Sequence, residues 1–287
     1  MFGKRLVHIL EEAVFPSKCL ICDSIIERKE NYRNNRSKRE WFIPETSGKD
    51  LKSRMDAAGP SFNFYFHDLL TDMACPACAV CFTPIHSPMC PGCGVVFESN
   101  AVGDHPCESC IREPKRFGMA RAFGVYDRSL MELIHGFKYR GKIQLAYAFG
   151  VMLLLTFLRY WSKGDIDIII PVPLHKRRFQ KRGFNQSYLL IKAWEKFQSQ
   201  SFRLPTVEKA ILLRKRWTEP QTGLGRKDRI KNIKDAFAVY DSAKIRQKHI
   251  LLVDDVYTTG ATADECSKTL LSSGAEQVDV LTLARAL

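Results

Sequence analysis

Residues 250–262 read ILLVDDVYTTGAT. Ile250, Leu251, Leu252 and Val253 form an unbroken aliphatic run, which marks a strand buried on both faces rather than a half-exposed one. Two acids follow, Asp254 and Asp255, then a short hydroxyl-rich stretch with one glycine. A helical pattern then covers residues 261–273 and is closed by Gly274. Strand, turn and helix in that order are the unit of an open α/β sheet, and such sheets bind ligands outside the carboxyl ends of their strands. The backbone N–H groups of Thr258, Thr259, Gly260, Ala261 and Thr262 fall where the helix begins. That is an anion site, reinforced by the helix dipole. The threonines add hydroxyl donors, and Gly260 permits positive φ and close approach of a ligand to the backbone. Adjacent carboxylates beside an anion cradle are self-defeating unless they meet hydroxyls or a cation. A ribose phosphate with Mg²⁺ supplies both.

The same alternation extends on either side. Strands are expected at residues 120–126, 166–170, 210–213, 236–240, 249–253 and 278–283, and helices at 129–139, 145–161 and 185–198. Apolar strands with intervening helices imply a parallel sheet covered on both faces. Residues 214–232 read as a long basic loop suited to closing over a water-sensitive reaction. The apolar run LAYAFGVMLLLTFL, residues 145–158, is shorter than the ~20 residues that span a bilayer. It reads as a core helix, and no membrane insertion is expected.

The chain has 287 residues, 45% hydrophobic and 26% charged, which is globular composition and excludes a mostly disordered or collagen-like chain. Its opening, MFGKRLVHILEEAVF, contains two acids and no uninterrupted apolar stretch, so it does not read as a secretory signal. The expected location is cytoplasmic, where thiols stay reduced and clustered cysteines indicate metal before disulfides. The formal net charge is +13, and residues 171–235 alone hold 17 Lys and Arg against 5 Asp and Glu, a net of +12. A basic block of this kind calls for an anionic partner, either small-molecule phosphates or nucleic acid. The bland alternative is a solvated basic face.

Nine of the ten cysteines lie in residues 1–117. Five CxxC spacings occur: Cys19/Cys22, Cys75/Cys78, Cys78/Cys81, Cys90/Cys93 and Cys107/Cys110. Two CxxC turns close one tetrahedral Cys₄ zinc site, so four independent pairs close two. Four thiolates leave no open coordination position, which makes such zincs structural. Spacing alone also allows interleaved pairing, Cys81 as a ligand, or His86 and His105 as replacements. Residues 27–61 are polar, charged and poor in aliphatics, and read as an insertion within this cysteine-rich region. The expected division is 1–117 for that region and 118–287 for the α/β domain.

The 250–262 string resembles the 5-phosphoribosyl-1-pyrophosphate (PRPP) motif of type I phosphoribosyltransferases. The resemblance implies that Asp254 and Asp255 bind the ribose hydroxyls, directly or through Mg²⁺. It likewise implies that Thr258, Thr259, Gly260, Ala261 and Thr262 bind the 5-phosphate. Arg177, Arg178, Lys181 and Arg182, in the basic segment after the 166–170 strand, are then placed to neutralise the pyrophosphate. In the purine-salvage branch an aspartate stands three residues after the second acid. Here that position is Thr258, which disfavours purine salvage.

With GFKYRG (136–141), PVPLHKRRFQKRGFNQ (171–186) and RKRWTEPQTGLGRKDRIKN (214–232), the chain resembles the ComF family. These proteins join a double zinc ribbon to a phosphoribosyltransferase-like domain and are linked in bacteria to competence. The resemblance implies one zinc on Cys19, Cys22, Cys75 and Cys78 and another on Cys90, Cys93, Cys107 and Cys110. The gap of 52 residues between Cys22 and Cys75 is longer than the family's usual spacing. Two readings of function follow. One is transfer of the phosphoribosyl group from Mg–PRPP to an acceptor. The other is a non-catalytic protein that senses PRPP or handles single-stranded DNA, with competence proteins as partners.

Overall fold

The computed structural model describes residues 18–26, 74–79, 81–97, 103–161, 164–194, 203–219 and 225–287. The 27–61 insertion and residues 195–198 of an expected helix lie outside the described residues. The chain divides into two compact units, Met1–Phe82 and Thr83–Leu287.

In the first unit, Lys18 and Ile25 pair in an antiparallel bridge around a cysteine turn, and one helical turn, α1 (Pro76–Ala79), carries the next cysteines. The second unit opens with a similar bridge, Met89 to Val96, and a short helix α2 (Glu108–Arg112). Then follow β1 (Ala120–Val125), α3 (Arg128–Tyr139), α4 (Leu145–Tyr160), β2 (Ile168–Pro171), α5 (Lys176–Arg182), α6 (Gln186–Lys192) and β3 (Thr206–Val207). The chain continues through β4 (Leu212–Arg214), α7 (Arg226–Ile233), β5 (Phe237–Val239), β6 (His249–Tyr257), α8 (Ala261–Ser272) and β7 (Gln277–Arg285).

The main sheet has the order β1-β7-β6-β2-β3 and every pairing in it is parallel. This is the α/β architecture that the apolar strands imply, with β4 and β5 set apart as an antiparallel pair. From β2 the chain moves to β3 on one side, and from β6 to β7 on the other. The topological switch point therefore lies between β2 and β6, where ligands bind in such sheets.

α4 is buried along nearly its whole length, from Leu145 to Leu158, as expected of a core helix. No helix among the described residues is long and apolar enough to cross a membrane. α4 packs on α6. A Cβ at Gly150 would lie 2.6 Å from the Leu190 carbonyl oxygen, so glycine is what lets the two backbones approach. Trp194 Nε1 seals the contact by donating to the Gly150 carbonyl at 2.8 Å. At the amino end of the strands the buried Asp279 accepts from Trp161 Nε1 (2.8 Å) and from Met119 N (2.9 Å). Beside β1, the segment before it pairs antiparallel through Ile85 N to Phe123 O (3.2 Å) and Val125 N to Thr83 O (2.9 Å), covering that sheet edge.

Three local expectations differ from the structure. β6 runs four residues past Val253, because β7 stays paired beside it as far as Arg285. The basic segment after β2 is helical, α5, capped by His175 Nδ1 accepting from Arg177 N. The expected 214–232 loop contains α7, whose RKDRIKNI sequence has no apolar stripe. Among its described residues only Ile233 is buried, against α8, which is too little periodicity to mark a helix in sequence.

Gly150→Ala gains helix propensity of about 1 kcal/mol at an exposed site. At this contact the overpacking penalty of roughly 1–3 kcal/mol dominates. Thermal unfolding is expected to show a lower Tm, roughly 2–4 °C per kcal/mol. An unchanged or raised Tm would mean that the α4–α6 approach is looser than described.

Candidate functional site

β2 ends at Pro171 opposite Val253, whereas β6 continues to Tyr257. Asp254, Asp255, Val256 and Tyr257 therefore have a strand partner only on the β7 side, and their other flank lies at the switch point. Successive strand residues point to opposite sides, and the two acids have different partners. Asp254 Oδ1 accepts from Ser187 Oγ at 2.9 Å and from Asp255 N at 2.9 Å. Asp255, only 4% exposed, forms an ion pair of 2.7 Å with Lys138 Nζ near the end of α3. Burial alone would lower the Lys138 pKa, but Asp255 overrides it and the net shift is upward. Asp254 is pushed up to about 7, first by burial and then by Asp255.

After Tyr257 the chain turns through Thr258 and Thr259 into Gly260, which has φ 78° and caps α8. A Cβ at Gly260 would lie 2.2 Å from Tyr257 Oη, so glycine is required here both by backbone conformation and by space. Thr259 Oγ1 accepts from Ala261 N at 3.4 Å, and Asp264 N donates the first helical bond to the Gly260 carbonyl at 2.8 Å. Thr258, Thr259, Gly260, Ala261 and Thr262 thus lie together on one turn beside the strand end that carries both acids.

The four basic residues picked from sequence share α5. Arg177 and Lys181 are exposed, whereas Arg178 and Arg182 are half-buried. Arg178 Nη2 donates to the Thr218 carbonyl at 2.9 Å, and Arg182 Nη1 to Gln186 Oε1 at 2.6 Å. Arg182 also lies 5.2 Å from the Tyr139 ring centre. Arg214, on β4, donates to Thr218 Oγ1, and its Nε is buried with no hydrogen-bond partner among the described residues. Burial, then Arg178, pull the Arg214 pKa down to about 10. Burial, then Arg182, lower that of Arg178. His175 is lowered by burial and then by Arg177, Arg214 and Arg178. Among the described residues none of these arginines has a carboxylate ion-pair partner. The cluster of Arg177, Arg178, Arg182 and Arg214 therefore carries surplus positive charge.

Lys138, Ser187 and Arg214 are functional candidates that sequence reasoning passed over. Lys138 and Arg214 sit inside the quoted GFKYRG and RKRWTEP segments, so the signal was present without a role attached. Ser187 had none beyond lying in the first turn of a helix N-capped by Asn185, whose Oδ1 accepts from Tyr188 N at 3.4 Å.

The structure gathers Cys19, Cys22, Cys75 and Cys78 into one group and Cys90, Cys93, Cys107 and Cys110 into another, each with all its sulfurs within 4.8 Å. No disulfide forms among the ten cysteines. Cys81 donates its thiol to the Ala77 carbonyl and stands outside both groups, as do His86 and His105. The two groups are built alike. In each, the first cysteine N–H closes a knuckle, Cys19 N to Ser24 O and Cys90 N to Val95 O, both 2.8 Å. Each knuckle turns on a positive-φ residue, Asp23 or Gly94. Each second pair then rides a helical turn.

A tetrahedral zinc with bonds of about 2.3 Å sets its sulfurs about 3.8 Å apart. Cys22 and Cys75 sulfurs are 3.8 Å apart, and those of Cys93 and Cys107 are 3.6 Å. Both donor sets fit a structural zinc. A four-thiolate zinc carries a net charge of −2, and two buried arginines flank the second group. Arg285 Nη2 donates to Cys93 Sγ at 3.3 Å, and Arg121 Nη1 to the Pro91 carbonyl at 2.9 Å.

The unfolded Asp254 carboxyl titrates near 3.8 and the native one at about 7. Between these values the native state holds a proton that the unfolded chain has released. The stability contributed by Asp254 is thus present in full below 3.8 and is lost as pH rises through about 7. Urea unfolding of wild type and Asp254→Asn across pH 4–8 is expected to show the variant gaining relative stability as pH rises. Parallel profiles would refute the buried-carboxyl account.

No protein-family model matches the chain. It is 33% identical over 216 residues to the DNA utilization protein YhgH of Shigella flexneri, covering 73% of this chain and 90% of that one. It is 32% identical over 214 residues to Competence protein F of Haemophilus influenzae, again 73% and 90%. To Competence protein ComFC of Bacillus subtilis it is 27% identical over 221 residues, 75% of this chain and 85% of that one. Identity at this level along most of both chains, with two four-cysteine groups and a parallel-sheet domain in the arrangement the resemblance implied, settles the relationship: the chain belongs to the ComF family.

Proposed function

We propose that the chain binds Mg²⁺–PRPP in the β2–β6 crevice and transfers the phosphoribosyl group to an acceptor nucleophile, releasing pyrophosphate. Its cellular role would lie in DNA uptake or utilisation, as the names of its relatives indicate. The observation that carries the reading is the juxtaposition of opposite demands at one strand end. A glycine-hinged turn at a helix N-terminus and a surplus of arginines call for phosphates, and two acids between them call for hydroxyls.

In this reading the 258–262 turn holds the 5-phosphate, and Asp254 and Asp255 accept from the ribose hydroxyls. Lys138 fixes Asp255 through their ion pair. Arg178, Arg182 and Arg214 face the pyrophosphate, with the exposed Arg177 and Lys181 at the rim. Mg²⁺ enters with the substrate and neutralises the leaving group. As the bond to pyrophosphate breaks, its electron pair leaves with the pyrophosphate, and the acceptor supplies the new pair. The ribose carbon is then transiently positive, and the carboxylates beside it are worth most at that moment.

The second reading, a non-catalytic PRPP sensor or single-stranded-DNA-handling protein, draws on a different observation. The half-buried Trp217 has Arg178 5.2 Å and Arg177 5.8 Å from its ring centre, and Phe179 on the same helix is 48% exposed. Aromatic rings among cations suit stacked bases.

Titration calorimetry of the protein with PRPP and Mg²⁺ tests both readings. Wild type is expected to bind. Gly260→Val and Arg214→Gln are expected to weaken binding at least tenfold, about 1.4 kcal/mol. No heat with wild type removes the first reading. Binding without pyrophosphate release from any candidate acceptor favours sensing. If Asp254→Asn with Asp255→Asn abolishes PRPP binding but spares DNA binding and transformation, the second reading stands.

A further inference from the structure

The second four-cysteine group and the 258–262 turn belong to the same compact unit, and a continuous line of buried contacts joins them. Cys90 and Cys93 are 0% and 4% exposed, so their charge cannot be balanced by water. Arg285, itself 7% exposed, meets Cys93 Sγ with Nη2, while its Nε and Nη1 are buried with no hydrogen-bond partner among the described residues. A guanidinium left in that state is tolerable only beside a strong anionic field, which a zinc tetrathiolate supplies. The other face of the guanidinium covers Tyr257, with Cζ 4.4 Å from the ring centre. Phe117 meets the same ring edge-on at 6.1 Å. Tyr257 in turn fills the space over Gly260, where a Cβ would be 2.2 Å from Oη. The backbone on both sides is also tied, since Ala286 N donates to the Tyr257 carbonyl at 2.8 Å.

We infer that Arg285 and Tyr257 are positioning residues through which the second cysteine group, when metallated, holds the 258–262 turn in its anion-ready shape. This rests on the proposed reading of that turn as a phosphate site. The physical sequence is short. Without metal no ion clamps the four sulfurs together, and the Arg285 guanidinium loses its fixed partner at Cys93 Sγ. It then moves toward water, its cover of Tyr257 goes with it, and the ring no longer packs against the turn at Gly260. Coupling through such a chain is reciprocal, so a ligand that orders the turn also strengthens metal retention.

Hydrogen exchange of the 258–262 amides in ligand-free, full-length protein tests this directly. With two zincs bound, Arg285→Gln is expected to exchange at least tenfold faster at the turn than wild type, with the α4 amides unchanged. Arg285→Lys, which keeps the charge but not the planar fork, is expected to recover part of the protection. Chelator-stripped wild type is expected to match Arg285→Gln. Cys22→Ser, which disrupts only the first cysteine group, is expected to leave the turn as in wild type.

Affinity for Mg²⁺–PRPP should fall at least tenfold in Arg285→Gln, with partial rescue by Arg285→Lys. Turn exchange that is unaffected by both Arg285→Gln and chelation overturns the inference. If Arg285→Gln does not fold, chelated wild type and Tyr257→Leu decide it by the same criterion. Because the exchange measurement needs no ligand, absence of PRPP binding by wild type would count against the phosphate reading and leave the strut to be judged separately.

Discussion

The length difference between two neighbouring strands governs the rest of the molecule. β2 ends opposite Val253, and β6 does not end until Tyr257. Were the two strands flush, Asp254 and Asp255 would have a strand on each flank and the crevice would be closed by main-chain pairing. The overhang leaves a strand paired on one side and open on the other, at the place where chain connectivity diverges. The chain leaving β2 must then cover the gap. It does so with α5 and α6, which brings Ser187 to Asp254.

The site is assembled against local electrostatic preference on both walls. On one, two carboxylates are adjacent and buried, and the strain appears as the raised affinity of Asp254 for a proton. On the other, arginines crowd one another and His175 with no carboxylate ion pair among the described residues. Apart from the Lys138–Asp255 pair, the two walls are not in direct ion-pair contact among the described residues. In the proposed reading, a ligand with hydroxyls at one end and phosphates at the other meets both walls at once. Groups held this way at a cost to the folded state are characteristic of functional sites.

Much of this was legible in sequence because it depends on short-range pattern. Unbroken aliphatic runs gave the parallel strands their positions. The CxxC spacing, with the family resemblance, gave two groups of four cysteines that the structure brings together. The length of β6 was not legible, since Asp254 and Asp255 look like a strand terminus until β7 is seen running beside them. α7 escaped because a helix docked by one isoleucine carries no periodic stripe. Lys138, Ser187 and Arg285 escaped for a third reason. Each acts through a partner far along the chain, as in the Arg285–Cys93 contact between residues 192 apart. A lysine, a serine or an arginine in isolation says nothing about which distant group it will meet.

The covering of β1 bears on how the chain is made. β1 pairs with β7, and the Met119–Asp279 bond joins residues 160 apart, so the first strand of the sheet has to wait for the last. During synthesis the Thr83 to Ile85 segment is available to shield one side of β1 long before β7 emerges to occupy the other. Half-paired strands are what chaperones bind and what aggregates nucleate on. The antiparallel flap therefore leaves β1 with one unpaired edge on the nascent chain, and leaves the closing step as a slow, long-range docking event.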